Sequence, residues 1–238
     1  MPNCKFTMFA YMFRIVENLL DLLVPNECLC CHTALKRGEK ALCLICQSKL
    51  PRTRSDKSDN EAEHRMFGKM PFEHGTSFCY YRKEGEFANL VRKAKYHDMP
   101  WINFELTKLF AAELSTCGWP YDIDVIVPVP VHFVRKIIRG YNQSLPIAEA
   151  LSKAWNIPVE GNCLKKKTYT KSQVSRSAQE RLSAVEGSFL LHHPERLAGK
   201  HVLLVDDVLT TGATLDACSQ LLVSTGARVS FLTLGLSN

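Results

Sequence analysis

Apolar residues recur along the chain in two textures, one spaced for helices and one for strands. Phe9, Met12, Phe13, Val16, Leu19, Leu20 and Leu23 stand three and four residues apart, which predicts an amphipathic helix within residues 1–24, ending before Pro25. Residues 25–50 form a compact, cysteine-dense stretch. Residues 51–75 are polar and poor in apolar periodicity, with Ser55, Asp56, Lys57, Ser58, Asp59 and Asn60 in a row, and read as a linker. From Thr76 onward strands and helices alternate. Ser77–Tyr81 suits a strand, Glu84–His97 and Trp101–Thr116 carry helical spacing, and Asp124–Pro130 is a β-branched run closed by prolines. A helix entered near Pro146 runs to Trp155. His201–Val205 is an apolar strand, a helix follows from about Gly212 to Ser224, and Arg228–Leu234 is the last strand. That alternation predicts an α/β fold over residues 76–238, a parallel sheet with helices on both faces.

Composition narrows the class. Among 238 residues, 46% are hydrophobic and 23% charged, which excludes a disordered or collagen-like chain. Lys and Arg number 30 against 24 Asp and Glu, a formal net charge of +6 and a modestly basic surface. The most apolar stretch, Met8 to Val24, is interrupted by Arg14, Glu17 and Asp21, so no membrane span and no secretory signal are expected. The ten cysteines are therefore read in a reducing cytoplasm, where thiols bind metal, do redox chemistry or fill the core.

Four of them form two pairs, Cys28-x-x-Cys31 and Cys43-x-x-Cys46, with eleven residues between. Each pair spans a tight turn that lets two thiolates reach one tetrahedral ion, and the set reads as a structural Zn²⁺ site closed by four cysteines. A redox site would need only one pair. Cys30 and His32 read as bystanders, and Cys4, Cys79, Cys117, Cys163 and Cys218 as packing.

The most informative stretch is Val205-Asp206-Asp207-Val208-Leu209-Thr210-Thr211-Gly212-Ala213-Thr214. A buried strand delivers two adjacent carboxylates at its C-terminal end, where ligands bind in an open α/β sheet. Small hydroxylated residues then lead into a helix whose free N–H groups suit a phosphate dianion. The carboxylates would repel that phosphate and are better matched to neutral hydroxyls; a vicinal diol beside a phosphate describes a ribose 5-phosphate. No Lys follows the glycine in the spacing of a Walker A loop. An N-capped helix after solvated aspartates explains a single Thr but not the whole string.

This stretch resembles the phosphoribosyl pyrophosphate (PRPP) signature of type I phosphoribosyltransferases. With the cysteine pairs, Lys95-Tyr96, Pro128-Val129-Pro130 and Arg139-Gly140-Tyr141-Asn142-Gln143, the chain resembles the ComF/GntX family over roughly residues 25–50 and 76–238. The resemblance implies a type I phosphoribosyltransferase-like sheet and a role in natural competence, the handling of incoming single-stranded DNA, with competence proteins as partners. It implies that Asp206 and Asp207 hold the ribose hydroxyls, directly or through Mg²⁺, and that Thr210, Thr211, Gly212, Ala213 and Thr214 hold the 5-phosphate. The loop after Pro130, with His132, Arg135, Lys136 and Arg139, corresponds to the pyrophosphate loop and suits diphosphate with Mg²⁺. Two departures stand out. A second cysteine pair carried by longer relatives is missing, and Arg181 is followed by Leu182, Ser183 and Ala184 where the family often has Arg-x-x-Asn.

Lys165, Lys166, Lys167, Lys171, Arg176 and Arg181 form a basic stretch that reads either as a solvated face or, with Tyr141 and Tyr169, as a track for single-stranded nucleic acid. Two functions follow. One is a binding protein for PRPP or ribose 5-phosphate acting in competence. The other is an active Mg²⁺-dependent phosphoribosyltransferase acting on a nucleobase or related nitrogen acceptor.

Overall fold

The computed structural model describes residues 26–54, 60–96, 99–119, 121–131, 140–167 and 188–237. The chain divides into two compact units, residues 1–50 and 51–238. The amphipathic helix expected in residues 1–24 lies outside the described residues.

In the first unit, Glu27 pairs with Ala34 as an antiparallel bridge, and a single helical turn, α1, spans Leu44–Ser48. Leu42 and the ligand-type residues Cys28, Cys43 and Cys46 are its buried side chains of note.

The second unit is built on four strands: β1, Gly75–Tyr81; β2, Val125–Pro128; β5, His201–Leu209; and β6, Arg228–Ser237. They form one parallel sheet in the order β1-β6-β5-β2, with Val205 opposite both Pro128 and Leu232. The strands read as unbroken apolar runs because both faces are covered. Val202, Leu204, Val229 and Phe231 pack with Leu215, Cys218 and Leu222 of helix α6, Ala213–Val223. Their neighbours Leu203, Val205 and Leu232, also fully buried, project to the other face by strand alternation. There lie α4, Pro100–Ser115, and α5, Ser144–Trp155, which pack on each other, with α5 also against β2 and β5. Pro100 suits the first turn of α4, where its missing N–H costs nothing, and Ile102, Leu106, Phe110 and Leu114 form the buried stripe. Helix α3, Glu86–Tyr96, packs on α4 and β1. A separate antiparallel pair, β3 (Leu164–Lys166) and β4 (Phe189–Leu191), stands beside α6.

The stretch read as linker is part of the core in its described portion. Helix α2, Glu61–Met66, is capped by Asn60, whose Oδ1 accepts from Ala62 N–H at 3.0 Å and Glu63 N–H at 3.2 Å. Asn60 Nδ2 and Glu63 Oε1 then bond the carbonyl and N–H of Gly75, at 2.8 and 2.9 Å, which fixes the helix to the start of β1. Ala62, Met66 and Met70 are buried with Leu204 and Phe231. Two apolar residues on six were too few to register as a periodic pattern, yet both face inward. Just upstream, residues 51–53 line the outer edge of β1: Tyr80 N–H donates to Pro51 at 2.7 Å, Thr53 N–H to Phe78 at 3.1 Å, and Arg52 pairs with Cys79.

Candidate functional site

Strand β5 carries the two carboxylates past the last residue of β2, so they emerge at the C-terminal rim of the sheet. Asp206 is held through one oxygen: Oδ1 accepts from the Ser144 hydroxyl at 3.1 Å and from the Asp207 N–H at 2.8 Å. Ser144 is the first residue of α5 and is itself placed by Asn142, whose Oδ1 accepts the Ser144 N–H at 3.2 Å and whose Nδ2 donates to Val129 at 3.1 Å. Burial, and then the charge of Asp207, push the Asp206 carboxyl up to about 7. Asp207 is held by a cation. Lys95, in the last turn of α3, brings Nζ to 2.5 Å from Asp207 Oδ2, with the side chains 17% and 14% exposed.

The loop that follows turns sharply. Gly212 has φ +85°, the left-handed region, and a Cβ there would lie 2.3 Å from Met66 Sδ and 2.8 Å from Met66 Cε. Only glycine meets both demands. Thr211 Oγ1 accepts the Ala213 N–H at 3.4 Å at the mouth of α6, and Lys69 Nζ donates to the Thr211 carbonyl at 3.2 Å. Thr210 and Thr211 are exposed, Ala213 and Thr214 half-buried. Asp206, Asp207 and residues 210–214 are thus brought to one rim, whereas Arg135 and Arg139 lie outside the described residues. Lys95, Ser144, Asn142 and Lys69 join the site from distant parts of the chain. Of these, Lys95 and Asn142 carried a sequence signal, within the Lys95-Tyr96 and Arg139-Gly140-Tyr141-Asn142-Gln143 resemblances, and Ser144 and Lys69 carried none.

Mg²⁺, implied with PRPP, would meet a pair that is partly engaged, with one oxygen of each carboxylate already held. An ammonium stands at Asp207 Oδ2, and Asp206 Oδ1 already accepts two hydrogen bonds.

In the first unit, the sulfurs of Cys28, Cys31, Cys43 and Cys46 all lie within 4.8 Å of one another. Cys31 and Cys43 Sγ are 3.7 Å apart, close to the ~3.8 Å edge of a tetrahedron of thiolates at ~2.3 Å from a common ion. Both turns are preformed. The His32 N–H closes the first on the Cys28 carbonyl at 2.9 Å, and the Cys46 N–H points at Cys43 Sγ at 3.5 Å in the second. Cys43 N–H also donates to Cys28 Sγ at 3.4 Å. Cys30 and His32 are not in the group; His32 Nδ1 lies 3.4 Å from Glu27 Oε2. The four sulfurs are placed to hold one metal ion.

Other features fall away as site candidates. Asp122, His201 and Ser230 form a hydrogen-bonded line, Oδ1 to Nδ1 at 2.8 Å and Nε2 to Oγ at 2.8 Å. It resembles a nucleophile relay, but His201 and Ser230 are both 0% exposed, so no substrate reaches Oγ. A cleft of about 540 Å³ lined by Arg52, Arg54, Phe78, Phe110 and Glu113 includes neither carboxylate. In the basic stretch, Lys166 lies over the Phe189 ring at 5.0 Å, while Lys171, Arg176, Arg181 and Tyr169 are outside the described residues. The Tyr141 hydroxyl donates to the Ala94 carbonyl. No helix among the described residues is long and apolar enough to cross a membrane.

The phosphoribosyl transferase domain family matches residues 94–234. Competence protein F of Haemophilus influenzae is 31% identical over 143 residues, 58% of this chain and 62% of its own length. The DNA utilization protein YhgH of Escherichia coli is 28% identical over 222 residues, 87% of this chain and 94% of its own. The chain thus spans under two thirds of the first relative and nearly all of the second. Among solved structures, glutamine PRPP amidotransferase from B. subtilis, complexed with ADP and GMP, is 24% identical, with a TM-score of 0.39 over 55% of this chain and 25% of that one. The chain belongs to the phosphoribosyl transferase domain family, with competence protein F and the DNA utilization proteins as its relatives.

Proposed function

We propose that the rim formed by Asp206, Asp207 and residues 210–214 binds the ribose 5-phosphate portion of PRPP, and that the protein uses this site in the cytoplasmic handling of incoming single-stranded DNA. The observation that carries the reading is the pairing, at the end of one strand, of two carboxylates with a glycine-turned, threonine-lined loop that opens α6. The loop N–H groups and the Thr210, Thr211 and Thr214 hydroxyls hold the 5-phosphate, with Gly212 and Ala213 keeping the backbone close. Asp206 and Asp207 accept from the ribose hydroxyls. Arg135 and Arg139 face the diphosphate, and Mg²⁺ arrives with that diphosphate. The names of the relatives, competence and DNA utilization, support the DNA role and the partnership with other competence proteins. The four-cysteine group holds structural Zn²⁺.

The family match favours a second reading, phosphoribosyl transfer. In it the C1–O bond to diphosphate breaks as a nucleobase or related nitrogen forms the C1–N bond. The chain positions the sugar and stabilises the departing diphosphate, with no covalent intermediate.

Calorimetric titration of the zinc-replete protein with PRPP and Mg²⁺, with pyrophosphate release followed against a nucleobase panel, separates the two. Binding without release supports the binding protein, and binding with release identifies a transferase and its acceptor. No binding removes the site. Asp206→Asn with Asp207→Asn abolishes binding under either reading.

A further inference from the structure

We propose that Lys95 stands in for a divalent cation at the ribose-binding carboxylates, so that the sugar-phosphate half of the ligand is bound without metal. The proposal rests on the ribose-phosphate reading above and specifies how that site is balanced electrostatically.

Two carboxylates on successive residues of one strand repel each other, and a folded site must offset that repulsion with a proton, a metal or a fixed cation. Here a fixed cation is present. Lys95 Nζ lies 2.5 Å from Asp207 Oδ2, and both side chains are largely enclosed. Its approach is anchored. The neighbouring Ala94 is buried, and its carbonyl accepts the Tyr141 hydroxyl from the segment that leads into α5. That segment supplies Ser144 to Asp206. The end of α3 and the start of α5 are therefore tied together, and each gives one polar group to one aspartate. The ammonium also completes the C-terminal end of α3, where a positive charge is favoured.

The division of oxygens follows. Asp207 Oδ2 is engaged by Lys95, and Asp206 Oδ1 by Ser144 and the Asp207 N–H. Asp206 Oδ2 and Asp207 Oδ1 receive no hydrogen bond from the described residues. One free acceptor on each carboxylate matches the two donors of a vicinal diol. A divalent ion would have to displace the ammonium to take Asp207 Oδ2, and a tethered ammonium is not removed by a chelator. PRPP carries its own diphosphate and keeps its need for Mg²⁺; ribose 5-phosphate, which lacks it, does not.

The test is calorimetric titration of the full chain with ribose 5-phosphate, once in excess EDTA and once in excess Mg²⁺. Zinc is assayed after each run, and a run in which EDTA has removed it is repeated in Mg²⁺-free buffer without chelator. The expected dissociation constants agree within about twofold. Lys95→Met weakens binding in EDTA by about tenfold or more and regains part of it with Mg²⁺, as the ion enters the vacated carboxylate, while Lys95→Arg stays metal-independent. Wild-type binding that requires Mg²⁺ overturns the proposal and leaves the ribose-phosphate site standing. Undiminished binding by Lys95→Met in EDTA also overturns it. Absence of binding in both buffers overturns the site and the proposal together. If Lys95→Met loses its far-UV dichroism, the wild-type comparison decides alone.

Discussion

Replacing Gly212 by Ala tests whether the turn before α6 is held by conformation, by packing, or by both. The backbone contribution comes from φ +85°, which costs an L side chain about 1–2 kcal/mol. The packing contribution comes from Met66, whose Sδ and Cε would lie 2.3 and 2.8 Å from the new Cβ. A thioether on the surface would swing aside, but Met66 is completely buried beside Leu204 and Phe231 and has little room to do so. Overpacking of that kind costs about 1–3 kcal/mol. The expected loss is therefore about 2–5 kcal/mol, and urea denaturation followed by far-UV circular dichroism measures it. A double-mutant cycle separates the two contributions. Met66→Ala alone costs about 2–5 kcal/mol by opening a cavity. In its presence the added methyl of Gly212→Ala fills part of that cavity, so the two changes together cost less than their sum by about 1–3 kcal/mol. A Gly212→Ala protein within about 0.5 kcal/mol of the parent, or a strictly additive cycle, would refute this account of the turn.

Three further outcomes are expected. The Asp206 carboxyl titrates at about 7 in the folded chain, above its ordinary value, so the native state holds the extra proton across that interval. Stability falls as pH rises from about 4 to about 7, and Asp206→Asn flattens that slope; a pH series of denaturation midpoints showing parallel curves refutes it. Cys43→Ser removes one corner of the four-sulfur group and leaves less than one equivalent of zinc by elemental analysis, whereas unchanged metal content contradicts the four-cysteine assignment. His201→Ala leaves the buried Ser230 hydroxyl without its imidazole partner and opens a void, costing about 2–4 kcal/mol in chemical denaturation. A loss under about 0.5 kcal/mol would show that the line from Asp122 to Ser230 carries no stability.

The parallel sheet was legible because its strands are buried on both faces, so Val125–Pro128 and the His201–Val205 part of β5 announce themselves as short apolar runs ended by proline or by charge, while the strand itself continues through the two aspartates to Leu209. The helices α4 and α6 were legible because each buries one stripe. The acidic pair, the threonines and the cysteine pairs were legible because each works through residues adjacent in sequence. What escaped is what depends on distant partners. Lys95 meets Asp207, and Ser144 meets Asp206, across long stretches of chain that no local pattern connects. Helix α2 escaped because its polar residues are structural: Asn60 caps the helix and, with Glu63, bonds Gly75, so composition that reads as solvated serves buried contacts. Strands β3 and β4, three residues each, are too short for alternation to register.

The pairing of residues 51–53 along β1 bears on where this chain can be cut. β1 is an edge strand of the sheet, and its sequence, GTSFCYY, is rich in aromatic residues and carries no charge. Left bare, such a strand offers a row of free N–H and C=O groups to any similar strand that drifts past, which is how sheets grow from one molecule into the next. Pro51, Arg52 and Thr53 occupy that row, with a proline and a guanidinium that a visiting strand could not easily displace. The Arg52 Nη2 atom is fastened to Glu113 of α4 at 2.5 Å, so the guard is clamped to the helix layer as well as to the strand. A fragment begun at residue 76 would lose both this guard and the α2 side chains from the core and would precipitate on expression, whereas one begun at residue 51 would keep a sealed sheet edge.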